Sequence, residues 1–161
     1  YLGLNQQKTT ETVKQLNKLL SNYHLYYQNL RNFHWNVQGE NFFKLHEKFE
    51  ELYESAKLKI DEIAERILTL RNHPVSRMSE YLDISEVEEA PMGLNDRQMV
   101  EHILHDHKIM IENMRAVLKL AESAEDEGTI DMISGFIEEM EKTSWMLDAW
   151  RSRVHEKVAM Q

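Results

Sequence analysis

Apolar residues recur with helical spacing along four long segments of this chain, and no stretch sustains the period-two alternation of a strand. A chain patterned this way can bury its apolar stripes only by packing helices on one another, so the expected fold class is all-α. The first segment runs from Thr9 or Thr10 to Asn36. Threonine stands at its start, Glu11 lies in its first turn, and Val13, Leu16, Leu20, Tyr23, Tyr27 and Leu30 share one face. QGEN interrupts it. The second segment spans Phe42 to Arg71 with Leu45, Phe49, Leu52, Ala56, Ile60, Ile63, Ile67 and Leu70 as its stripe, and Pro74 closes it. Asn95 has the character of a cap for a third helix, reaching Glu122 with Ile103, His107, Met110, Met114, Val117 and Ala121 inward. After SAEDEG a fourth begins near Thr129, carries Ile130, Ile133, Ile137, Met140, Ser144, Leu147 and Val154, and fades into HEKVAMQ.

Residues 74 to 94 form a connection too long for a hairpin, with room for a short helix around Ser79 to Ile84. Four helices with one long crossover is the ferritin-like arrangement among four-helix bundles. At 161 residues the chain is expected to form a single domain, 1–161, with one cooperative core. No apolar run is long enough to span a bilayer and no signal-like segment opens the chain, so a soluble, cytoplasmic protein is expected. The chain opens at Tyr1 rather than a methionine, which leaves room for residues before it.

The chain has no cysteine, which excludes a disulfide framework, a thiolate nucleophile and any Cys-based metal site. A bound metal would have to be held by histidine and carboxylate. The formal charge of −9 repels nucleic acid and favours cations. One stretch supplies the required donors: His34, His46, Glu50, Asp61 and Glu65 all fall between Asn32 and Arg66. His46 and Glu50 are four residues apart, as are Asp61 and Glu65, so each pair shares a helix face. At about 100° per residue all four lie within an arc of roughly 100°. Glu50 and Asp61 are nonetheless separated by about 16 Å along the axis, too far for one ion to take both pairs from one chain.

Two copies packed with their second helices antiparallel about a two-fold axis would resolve this separation. The midpoint of the two pairs falls between Ser55 and Ala56, whose small side chains would permit a close crossing. His46 and Glu50 of one subunit would then face Asp61 and Glu65 of the other, with His34 completing the histidine side. EHILHDH offers a weaker set, His102, His105 and Asp106, suited at most to adventitious surface metal binding. The intramolecular di-iron signature, Glu-x-x-His on each of two helices, is absent from the sequence.

NFHWNVQGENFFKLHEKFEELY followed by IDEIAERI closely resembles the signature of the Dps proteins, the miniferritins named for DNA protection in starved cells. The likeness extends through PVSRMSEYLDIS and EKTSWMLDAW and so covers most of the chain. The resemblance implies a hollow dodecameric shell of four-helix subunits that oxidises Fe(II), usually with hydrogen peroxide, and stores Fe(III) mineral. It implies a ferroxidase centre between two-fold-related subunits, with His34, His46 and Glu50 from one and Asp61 and Glu65 from its partner. Glu50 stands where many members have Asp, which moves the carboxylate by one methylene. Trp35 matches a tryptophan beside the centre that could absorb a stray oxidising equivalent or simply pack at the interface, and Tyr53 is read as packing.

Acidic three-fold pores near the start of the last helix are a further family feature, for which Glu122, Glu127 and Asp131 are the candidates by position. Members that bind DNA directly often carry a mobile Lys-rich tail. Here the first eight residues hold only Lys8, and RSRVHEKVAMQ is a mixed tail. Direct DNA binding is therefore expected to be weak or absent, with oxygen or hydrogen peroxide, iron ions and further copies of the chain as the partners. Nucleoid association is the alternative that a DNA-protecting structural role would require.

Overall fold

The computed structural model describes the backbone of residues 1–159 and the side chains of residues 1–152. Five helices follow one another, with no strand among the described residues: α1 (Gln6–Asn36), α2 (Phe42–Thr69), α3 (Met78–Ile84), α4 (Asp96–Ser123) and α5 (Glu127–Ala159). The all-α, ferritin-like expectation holds, including the short helix inside the crossover. The Val154 side chain, expected on the inward face, and those of the following tail lie outside the described set.

The boundaries differ from the expected ones where caps were disguised. α1 begins three residues before Thr9 because the Asn5 side chain accepts the Lys8 amide, while the hydroxyls of Thr9 and Thr10 bond carbonyls four residues back. α2 ends at Thr69, not Arg71. Arg71 takes φ 58°, its amide bonds the Leu68 carbonyl, and the Asn72 amide bonds that of Ile67. That double bond is a Schellman ending, which usually requires glycine. Asn95 caps α4 as expected, in a reciprocal box with Gln98.

α1 lies at the centre, packed on α2, α4 and α3, while α4 packs on α5. Tyr23, Leu30, Phe33, Phe49, Ile63, Ile103, Met110 and Ile133 fill the space between them. The α2–α5 seam is bridged by long side chains. Buried Lys59 reaches Glu139 at 2.6 Å and Ser55 at 2.5 Å, and Arg66 reaches Asp126 at 2.5 Å. Three asparagines of α1 hold the crossover against the bundle. Asn17 bonds His73 and Val75, Asn22 accepts from Ser85, Glu86 and Val87, and Asn29 bonds Glu88 and Ala90. Extended backbone with no strand partner is thus satisfied by side-chain amides.

Candidate metal centre

The tight turn after Asn36 folds α2 back so that His34 and His46 meet. Their rings stack with centroids 3.7 Å apart and 16° between planes. Each ring bonds the other residue's backbone: Nδ1 of His34 lies 2.7 Å from the His46 carbonyl, and Nδ1 of His46 lies 2.7 Å from the His34 carbonyl. A carbonyl can only accept, so both Nδ1 atoms carry the proton. In the neutral ring this selects the tautomer with Nε2 bare, the one a metal requires. Phe42 stacks on His46 at 4.9 Å and Tyr53 sets its edge against His34 at 5.3 Å, fixing the ring planes. The meeting of the two histidines follows from the turn between them, but the ring stacking and the reciprocal backbone bonds are not visible as a pattern in the sequence.

Glu50 follows one turn after His46 and is exposed. Desolvation, followed by the negative field of Glu50 and Glu54, holds the Tyr53 phenol above its ordinary range. Asp61 and Glu65 are exposed farther along the same helix. Among the described residues no three metal-ligating side chains of one chain converge on a common point. The structure therefore joins His34 to His46 and leaves Asp61 and Glu65 apart from them.

The expected close crossing at Ser55 and Ala56 needs correction. Counting about 100° per residue places both some 130° around α2 from the middle of the ligand arc. Accordingly, Ala56 is buried in its own bundle and the Ser55 hydroxyl bonds Glu139 of α5 at 2.8 Å. At that height the ligand face presents Glu54, Lys57 and Leu58 instead. Leu58 is 65% exposed, and Phe43 and Leu68 on the same face are 83% and 52% exposed. Trp35 is exposed as well, with the Arg31 guanidinium 4.9 Å over its ring.

The second candidate set is not a surface site. Asp106 is 1% exposed and accepts from the Asn29 amide at 3.1 Å, and its other oxygen faces Nε2 of His102 at 3.5 Å. His105 points to solvent. Burial pushes the Asp106 carboxyl up to about 7, against the opposing bond from Asn29. The folded state thus holds a proton that the unfolded chain, at its ordinary carboxyl value, has already released. Stability from this group is full below about pH 4 and declines as pH rises toward 7, by at most about 4 kcal/mol. Asp106→Asn should flatten that part of the pH profile in urea titrations and raise the midpoint at pH 7.5.

Glu122, Glu127 and Asp131 are exposed around the α4–α5 connection. Their neighbour Asp126 belongs to a different device. It is 2% exposed and caps α5, accepting the Thr129 amide at 3.1 Å and the Thr129 hydroxyl at 2.5 Å beside the Arg66 ion pair.

A ferritin-like domain profile matches residues 13–155. The chain is 43% identical over 140 residues to DNA protection during starvation protein 2 of Bacillus anthracis, covering 87% of this chain and 96% of that one. It is 40% identical over 151 residues to the DNA protection during starvation protein of Porphyromonas gingivalis, covering 94% and 95%. The Dps crystal structure from Vibrio cholerae O1, described as a member of a broad superfamily of ferritin-like diiron-carboxylate proteins, superposes with a TM-score of 0.91 at 41% identity. That match covers 93% of this chain and 94% of the other. The chain belongs to the Dps family of ferritin-like proteins.

Proposed function

We propose that this protein takes Fe(II) as substrate, oxidises it at centres shared by two-fold-related subunits and stores the Fe(III) product inside a dodecameric shell. The observation that carries the reading is the His34–His46 pair, whose Nδ1 bonds leave Nε2 of each ring to face a metal one turn before Glu50, and which meets no Asp61 or Glu65 among the described residues of its own chain. Asp61 and Glu65 of a second copy, approaching antiparallel, are the matching half. The apolar side chains of Phe43, Leu58 and Leu68 interleaved with the ligands give that approach something to bury. Imidazole suits ferrous iron and carboxylate favours the harder ferric product. Two Fe(II) ions deliver two electrons to one hydrogen peroxide, which with two protons becomes two waters, so no hydroxyl radical need leave the site. Exposed Glu122, Glu127 and Asp131 are proposed to line the path by which iron enters.

Anaerobic loading with Fe(II), then addition of peroxide or oxygen, tests this directly. Rapid growth of Fe(III) absorbance with peroxide is expected, and a rate no greater than that of free Fe(II) overturns the reading. The charge of −9 argues against coating DNA, so the proposed role is that of an iron and peroxide scavenger in the cytoplasm. A mobility-shift assay at low salt without iron should leave DNA unretarded at micromolar protein. Retardation would instead favour a DNA-shielding role at the nucleoid.

A further inference from the structure

In the bundle core, away from the histidine pair, Tyr26 and His107 form a hydrogen-bonded couple that the reading above leaves without a task. The phenol oxygen of Tyr26 lies 2.7 Å from Nε2 of His107, and both residues are almost fully buried. Nδ1 of His107 lies 2.7 Å from the Ser144 hydroxyl, which itself donates to the Met140 carbonyl at 2.7 Å. These contacts assign every proton. Ser144 spends its hydrogen on Met140, so it accepts from Nδ1–H of His107. Nε2 is therefore bare, and Tyr26 donates to it.

From this geometry we infer that Tyr26 and His107 form a proton-coupled electron donor, which quenches strong one-electron oxidants, hydroxyl radical above all, that escape the iron chemistry. The oxidant takes one electron from Tyr26 and becomes hydroxide. The Tyr26 O–H bond breaks and an N–H bond forms at Nε2 of His107, leaving a neutral phenoxyl radical beside an imidazolium. A further Fe(II) returns the electron and becomes Fe(III), and the proton moves back to oxygen. Without the imidazole the proton would have to stay on a phenol radical cation, a far stronger acid than imidazolium, so the base at Nε2 is what makes the oxidation accessible. Burial holds His107 down at about 3 and Tyr26 well above its ordinary range, so the resting couple is neutral.

Among the described residues no other tyrosine hydroxyl bonds a histidine. Tyr1 and Tyr81 donate to the carbonyls of Thr69 and Val75, which cannot keep a proton. The buried Tyr23 hydroxyl has no partner among the described residues and lines, with Tyr26 and His107, a cavity of about 20 Å³ at the α2–α5 seam. Aromatic contacts lead from the histidine pair to Tyr27, and the α1 backbone carries the path on to Tyr26. Tyr53 touches His34 at 5.3 Å, Tyr27 touches Tyr53 at 6.0 Å, and Tyr27 adjoins Tyr26 in sequence. Along α1, Tyr26 and His34 are eight residues apart, about 12 Å.

This inference gains its physiological sense from the proposed ferroxidase activity, but its first test does not need iron. The assembled, iron-free protein is oxidised by laser flash with ruthenium tris-bipyridine and persulfate, then frozen for high-field electron paramagnetic resonance. The expected signal is a neutral phenoxyl whose largest g component is lowered by a hydrogen bond from the imidazolium. It should vanish in Tyr26→Phe, which keeps the ring volume, and lose the lowering in His107→Gln. An unchanged signal in Tyr26→Phe overturns the assignment whatever the iron chemistry proves to be. In a second arm, less than one Fe(II) per centre is added with excess peroxide. Tyr26→Phe should oxidise iron at the wild-type rate yet release severalfold more spin-trapped hydroxyl radical, and equal release counts against the proposal.

Discussion

Asp61→Ala should oxidise Fe(II) at least about 100-fold more slowly than the wild type, since even outer partners of metal ligands are worth 10–100-fold. The side chain is exposed, so its removal should change folding by no more than about 0.5 kcal/mol. The more searching form of the experiment mixes subunits. Co-assembly of His34→Ala with Asp61→Ala chains creates pairs in which one centre is doubly defective and the other intact. Random pairing then restores about a quarter of wild-type activity, although neither parent is active. A centre built within one chain would show no recovery. That outcome, or equal rates for wild type and Asp61→Ala, would remove the shared site.

The second large effect is on stability. Arg66→Met keeps the side-chain stem but leaves Asp126, 2% exposed, without its cation, and should cost about 3 kcal/mol in urea unfolding. Gly128 explains why this ion pair has a shape as well as a charge. A β-carbon there would lie 2.7 Å from Nη2 and 2.9 Å from Nη1 of Arg66, so the guanidinium lies against the bare helix backbone. Gly128→Ala should therefore destabilise the wild type by about 1–3 kcal/mol through overpacking. In the Arg66→Met background the obstacle is gone, and alanine should stabilise α5 by up to about 1 kcal/mol through helix propensity. The sign reversal is the measurement; additive effects would mean that the contact is not the reason for glycine.

The sequence made the helices legible because periodicity survives any local accident, whereas their ends depend on single side chains. Asn5 did the capping that Thr9 appeared to offer, and Arg71 occupies a left-handed position normally marked by glycine. For the candidate site, residue chemistry and axial spacing were readable, and the His34–His46 meeting followed from the turn between them. The Ser55–Ala56 midpoint follows from the rise per residue alone, whereas the same 100° rotation that groups the ligands places Ala56 on the far side of the helix. Lys59 and Asp126 were hidden for another reason. A charged residue looks solvated until the opposing charge from another helix is known, and here those partners are 80 and 60 positions distant.

The reciprocal bonds between His34 and His46 also bear on how such a site persists over generations. The His34 carbonyl belongs to the last turn of α1, where no later helical amide can reach it, and the imidazole of His46 supplies the missing donor. Each histidine is thus scored twice by selection, through the yield of folded chain and through what the fold does with iron. Substitutions at Asp61 or Glu65, on an exposed face, are scored only through activity. A lineage released from iron chemistry should therefore lose its carboxylates first and keep its histidines longest, as structural remnants of a centre that no longer works.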